Sequence, residues 1–406
     1  MSSCRNRASS VARLALLLAC ACVDQSPVHG PASSGGTSGG TNGGACGVSC
    51  SGGNRGSGGS PGNGGSASCD IQPSAGQVGN LAGGPVRVVG RADWSNPQAP
   101  RFEWSGVSIQ ARFTGTSVCV DMDGGNNQFE VIVDGQTQPK LLTSNGRRLM
   151  GLASGLADAQ HDLTIWRRTE ANDASPSQFY GLAIGGGSLI SIQPPVHKLE
   201  VIGDSITCGY GNLGVGPNCG FTYDTEDNYL AYGSVAAREL GADLYTECWS
   251  GKGIYRNIGG DMTETMPTLY ERTIPTDSTS TWDNSYIPDA VIINLGTNDF
   301  HGGDPGSGYV TACENFVATL RARYPNAELV ITIGPMLGGS QLTAARAYLD
   351  QVVQNRANLG DTRVQQFPLD PQDPVNGYGC DWHPSAKTHD IMGKALAAWL
   401  RTTLGW

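Results

Sequence analysis

Leu199-Glu200-Val201-Ile202-Gly203-Asp204-Ser205-Ile206 decides how the second half of this chain folds. Residues 199–203 read as a short buried strand, apolar apart from Glu200, and the turn residues after them end it at Ser205. The pattern then repeats downstream. Residues 228–240 carry helical periodicity and 242–248 read as a strand. Residues 289–295 read as another buried strand. A helix near 309–324 precedes a strand at 327–333, 343–358 looks helical, 363–367 extended, and 385–404 closes the chain as a helix. Five strands alternating with helices predict an α/β fold with a parallel sheet covered on both faces. Ligands in such folds sit beyond the carboxyl ends of the strands.

Upstream of Pro194-Pro195 the rhythm differs. Short apolar runs alternate with polar residues at 86–89, 107–113, 117–120, 129–133, 161–166 and 179–184. Asp134-Gly135 after one run is a hairpin signal. Many short strands at this spacing predict an all-β sandwich of jelly-roll type over residues 69–195.

Four motifs fall at successive strand ends of the α/β part. Gly203-Asp204-Ser205-Ile206 presents a serine hydroxyl above the sheet, although the same tetrapeptide also reads as an Asp–Ser helix cap. Ser250-Gly251 follows the second strand, where a glycine lets a backbone N–H approach an attacked carbonyl oxygen; a plain loop glycine is the alternative. Gly296-Thr297-Asn298-Asp299 closes the central strand, and an Asn side chain there can donate to a developing oxyanion, or simply make a turn. Asp381-Trp382-His383-Pro384 precedes the last helix, and a neutral His can take the serine proton. Each motif alone favours its structural reading. Four in order do not.

The residues Ser205, Gly251, Asn298 and His383 match the four marker residues of the SGNH (GDSL-type) hydrolases, and the resemblance covers residues 198–406. The β-region also resembles the N-terminal domain of carbohydrate esterase family 2. Val89-Gly90-Arg91, the run from His161 through Trp166-Arg167-Arg168-Thr169-Glu170, and Gly203-Asp204-Ser205-Ile206-Thr207-Cys208-Gly209-Tyr210-Gly211 carry that likeness. The resemblance implies a three-layer SGNH domain behind a jelly roll. It also implies a serine esterase that deacetylates plant polysaccharides and sugars, commonly at the 6-hydroxyl. One departure stands out: the common pattern puts an Asp three residues before the His, and Cys380 occupies that place. Asp381, two residues before, is expected as the third catalytic member. The resemblance offers an alternative in which a main-chain carbonyl orients the ring. Trp249 and Trp382 lie near the expected site and can stack on a sugar face or pack in the core.

The remaining signals concern location. Arg5, Arg7 and Arg13 precede an apolar run and Leu17-Leu18-Ala19-Cys20, which resembles a bacterial lipobox, so residues 1–22 are expected to be an export signal with a lipid-bearing cysteine. A plain secretory signal is the alternative. Residues 23–68, dominated from about residue 31 by Gly, Ser, Thr and Asn, are expected to be a flexible tether. With 26 basic and 36 acidic residues the net charge is −10, which argues against nucleic acid as a partner. The 12 cysteines fit an oxidising compartment; Cys46 with Cys50 and Cys208 with Cys219 are candidate pairs. No Cys-x-x-Cys pair or His cluster suggests a metal, and the expected chemistry needs no cofactor. The expectation is an exported esterase acting on acetylated polysaccharide or oligosaccharide, touching a membrane only through its N-terminal lipid. The rivals are an esterase or lipase for another acyl ester, and a carbohydrate-binding lipoprotein whose hydrolase domain is only a scaffold.

Overall fold

The computed structural model describes residues 84–171 and 175–406. The export signal, lipobox, tether and the Cys46–Cys50 pair lie outside the described residues.

The first part is all-β and antiparallel. Its strands are β1 (Val86–Val89), β2 (Arg101–Phe102), β3 (Ser108–Asp123), β4 (Gln128–Val133), β5 (Gln136–Thr137), β6 (Leu141–Leu142), β7 (Arg148–Arg167), β8 (Ser177–Gly185) and β9 (Leu189–Ile190). Two of the expected short strands, 107–113 and 117–120, are one long strand, β3. It changes neighbours along its length: β1 and β9 pair with its first part and β8 with its second, across register shifts near Gly115. A bulge bends and twists a strand, which lets one strand serve two parts of a folded-over sheet. The hairpin between β4 and β5 turns at Asp134-Gly135, both with positive φ (52° and 75°), as that dipeptide requires. Inward side chains such as Phe113, Val120, Phe129, Val131, Ile165 and Phe179 form the core.

The second part contains a five-stranded parallel sheet of β10 (Lys198–Gly203), β11 (Asp243–Cys248), β12 (Ala290–Asn294), β13 (Glu328–Thr332) and β14 (Val364–Gln366), in spatial order β11-β10-β12-β13-β14. Between the strands run α1 (Ser205–Cys208), α2 (Tyr232–Leu240), α3 (Met266–Leu269), α4 (Thr297–Phe300), α5 (Ser307–Arg323) and α6 (Gly339–Asn358), and α7 (Ala386–Leu404) closes the chain. Period-two alternation sorts the strand residues. Leu199, Val201, Ala290, Ile292 and Val330 join Tyr232, Ala236, Leu396 and Leu400 of α2 and α7. Ile202, Val291, Ile293, Leu329 and Ile331 instead join Tyr309, Phe316, Leu320, Leu342 and Leu349 of α5 and α6. Apolar residues on both faces are what a parallel sheet between two helical layers demands. The expected helix from residue 228 starts instead at Tyr232, because Ala231 is extended (φ −68°, ψ 153°) after a single 3₁₀ turn. No helix among the described residues is long and apolar enough to cross a membrane.

Buried ions join the two parts. Arg91, just after β1, places its guanidinium 2.9 Å from Glu247 and 3.0 Å from Glu200, both on the parallel sheet. It also donates to the carbonyls of Tyr270 and Arg272 and lies 4.2 Å from the Tyr270 ring centre. Arg87 pairs with Asp243. Fully buried charges are tolerated only when paired and hydrogen-bonded, so these arginines fix how β1 meets the sheet.

Candidate active site

Strand β10 ends at Gly203, whose neighbours across the sheet are Cys248 of β11 and Asn294 of β12. The loops after these three strands therefore open side by side. A Cβ at Gly203 would sit 2.0 Å from the Thr207 hydroxyl, so the turn into α1 requires glycine. Asp204 caps α1, accepting the Ile206 N–H at 3.0 Å, and Ser205 is the first helical residue. The cap reading of this tetrapeptide holds, and it leaves the Ser205 hydroxyl at the start of α1. Ser205 is 7% exposed. Its own N–H makes no hydrogen bond among the described residues.

His383 comes from the turn before α7, and its Nε2 lies 2.8 Å from the Ser205 hydroxyl. On the far side of the ring, Nδ1 meets the Cys380 carbonyl at 3.2 Å. The same carbonyl accepts the His383 backbone N–H at 3.0 Å. The expected Asp381 carboxylate is not the partner of Nδ1. Asp381 and Trp382 have left-handed backbone (φ 51° and 65°), which brings the Cys380 carbonyl to the ring, while the Asp381 carboxylate accepts the Tyr210 hydroxyl at 2.8 Å. Asp381 is thus a neighbour of the base and not its hydrogen-bond partner. The Tyr210 ring lies 4.2 Å from the His383 ring and is stacked on Phe221 from its other side. Burial lowers the His383 pKa to about 4, against the raising effect of its backbone bonds, so the ring is neutral at physiological pH.

The Ser250–Gly251 turn follows β11. Gly251 has φ +79°, and its carbonyl accepts the Ile258 N–H at 2.8 Å. Its own N–H, like that of Ser205, makes no hydrogen bond among the described residues. Asn298 lies in α4, at the end of β12, and its amide donates to the Lys252 carbonyl at 2.9 Å and to Asp204 at a long 3.3 Å. Asp299 beside it accepts the N–H groups of Ile254, Tyr255 and Arg256, which shapes the loop after Gly251. Burial pushes the Asp204 carboxyl up to about 7, opposed by the Ile206 N–H and reinforced by Asp299.

Trp382 is 55% exposed, with one side against Tyr378. Trp249 instead packs partly into the core, with Lys252 near its ring. Two disulfides frame the site, Cys208–Cys248 and Cys219–Cys380. The expected Cys208–Cys219 pair is therefore wrong: Cys208 at the end of α1 reaches the end of β11, and Cys219 is left for the turn that carries His383. No role for Tyr210 was readable in the sequence. The main-chain carbonyl was the alternative to Asp381, signalled by the missing Asp at position 380, and it is the carbonyl of Cys380 itself.

With this geometry in view, relatives are informative. Residues 88–194 match the carbohydrate esterase 2 N-terminal family, and residues 201–391 the GDSL-like lipase/acylhydrolase family. The cellulase/esterase CelE of Acetivibrio thermocellus is 39% identical over 78% of this chain, a stretch that spans only 39% of CelE. An acetylxylan esterase / glucomannan deacetylase of Cellvibrio japonicus is 28% identical over 79% of this chain and 89% of its own. The solved structure of a family two carbohydrate esterase from Clostridium thermocellum, in complex with cellohexaose, superposes with a TM-score of 0.76 at 39% identity, covering 79% of this chain and 99% of that one. By its paired β and SGNH domains and by these relatives, this chain belongs to carbohydrate esterase family 2.

Proposed function

We propose that this chain removes O-acetyl groups from polysaccharide or oligosaccharide through an acyl-enzyme on Ser205. The observation that carries the reading is the 2.8 Å contact between the Ser205 hydroxyl and His383 Nε2. A neutral ring that donates Nδ1–H to the Cys380 carbonyl presents Nε2 as the acceptor, the tautomer a general base needs. Ser205 attacks the ester carbonyl carbon as its proton passes to His383 Nε2. The carbonyl oxygen, now negative, is held by the unoccupied N–H groups of Ser205 and Gly251 and by the Asn298 amide, which gives up its long bond to Asp204. Donors of this kind are worth about 10²–10³-fold each in rate. His383 then returns the proton to the departing sugar oxygen, leaving acetyl-Ser205. Water attacks that ester with His383 again as base, and acetate leaves.

The substrate class rests on the relatives: one is named for acetylxylan and glucomannan, another was solved with cellohexaose. The exposed Trp382 beside His383 supplies a flat apolar face on which a sugar ring can stack. Acetate release from acetylated glucomannan, xylan and peptidoglycan, measured side by side, tests the assignment. Release from the plant polysaccharides alone is the expected result, and release confined to peptidoglycan would refute it. We further propose export with a lipid on Cys20, for which residues 1–22 are the support. Incorporation of labelled palmitate into the wild type but not into Cys20→Ala is the expected outcome.

A further inference from the structure

Strand β7 ends at Arg167, and the next three residues leave the β-region for the catalytic part, all of them buried. Arg168 pairs with Glu130 at 2.9 Å and donates to the Glu226 carbonyl, while its own carbonyl accepts the Asn228 N–H. Glu170 then reaches the turn after β11. Its carboxylate accepts the Ser250 N–H at 2.7 Å and the Ser250 hydroxyl at 2.6 Å. On the other side of the turn, the Ile258 N–H holds the Gly251 carbonyl at 2.8 Å. The peptide N–H between these two anchors, that of Gly251, is the one without a hydrogen-bond partner among the described residues.

We propose that Glu170, contributed by the β-region, is a positioning residue that fixes the Ser250–Gly251 turn so that the Gly251 N–H meets the developing oxyanion. The inference rests on the acyl-transfer reading above. Backbone donors act on a transition state only when they are already aimed, and a displacement near 1 Å can cost about 10²-fold. A negative charge close to an oxyanion would oppose catalysis unless local donors absorbed it, and here one serine supplies two. Glu226 accepts the Glu170 N–H at 3.2 Å, and burial together with the neighbouring Glu170 charge holds its carboxyl well above the usual range. Glu170, Glu226 and Cys208 also lie close enough together to suggest a metal cluster. The Cys208 sulfur is committed to Cys248, however, so it offers no thiolate ligand.

The test uses the full chain with p-nitrophenyl acetate, comparing Glu170→Ala, Glu170→Gln and Ser250→Ala. Glu170→Ala is expected to lower kcat by about 10²-fold with KM within about threefold and the folded fraction unchanged. Glu170→Gln keeps an oxygen for the Ser250 N–H and should recover about tenfold of that loss. Ser250→Ala keeps its N–H on Glu170 and should lose less than about tenfold. If Glu170→Ala does not fold, Glu170→Gln decides: an intermediate kcat at unchanged KM supports the proposal. Wild-type kcat in a folded Glu170 variant overturns it, as does activity that falls only with the folded fraction. A wild type that hydrolyses no ester at all would overturn the acyl-transfer reading itself, and the inference with it.

Discussion

Replacing Asp381 by Asn separates two ways of building a catalytic base. Asn tolerates the left-handed backbone at this position (φ 51°) and can still accept the Tyr210 hydroxyl, so the turn survives. The His383 Nδ1 bond runs to the Cys380 carbonyl and is untouched. What the substitution removes is an exposed charge acting through space, the smallest of the influences on the His383 ring. Even at 4 Å a unit charge in water contributes about 1 kcal/mol. The loss in kcat/KM is therefore expected to be tenfold or less, about 1.4 kcal/mol on the barrier. The assay is steady-state hydrolysis of p-nitrophenyl acetate, with melting temperatures compared to establish equal folding. A serine protease loses about 10⁴-fold when its orienting carboxylate becomes an amide. A loss of that size here, at unchanged melting temperature, would refute the carbonyl-oriented dyad.

Three further outcomes follow from the geometry. Gly251→Ala places a Cβ 3.0 Å from the Ile258 side chain at φ +79°, so the turn must shift; kcat should fall about 10²-fold with little change in KM. His383 works only when neutral, so kcat/KM should persist through mildly acidic pH and fall as the ring protonates through about pH 4. Stability has the same sign: His383 and His389, lowered by burial to about 4 and 3, favour the native state above about pH 6.5, and this is lost progressively as acid protonates the unfolded chain first. Urea unfolding monitored from pH 7 to 4 measures it. Arg91→Met leaves Glu200 and Glu247 without their cation and should destabilise the chain by about 3–5 kcal/mol in urea titration.

The parallel sheet was legible because its signal is local. Leu199, Val201, Ile202 and the run at 290–293 are apolar on both faces, and turn residues stop each strand where the candidate site residues stand. Ser205, Gly251, Asn298 and His383 stood out for the same reason: each follows on a strand or precedes a helix. The parts that escaped depend on distant segments meeting. Cys219 and Cys380 are 161 residues apart, and nothing near either one names the other. The orientation of His383 turns on two consecutive left-handed residues, Asp381 and Trp382, neither of which is a glycine that would have signalled the turn. Register shifts within β3 hid one long strand behind a break at Gly115-Thr116, which reads locally as a turn. Glu170 showed no role beyond the family likeness, because its partner Ser250 is 80 residues away.

The central claim is that acyl transfer passes through Ser205. Rapid quenching of the enzyme during p-nitrophenyl acetate turnover, followed by intact-mass and peptide mass spectrometry, tests it directly. The account predicts a transient mass gain of one acetyl group, located on the peptide that contains Ser205, and no gain and no turnover in a folded Ser205→Ala chain. Turnover by Ser205→Ala at the wild-type rate, or an acetyl group found on another residue while turnover proceeds, would contradict it.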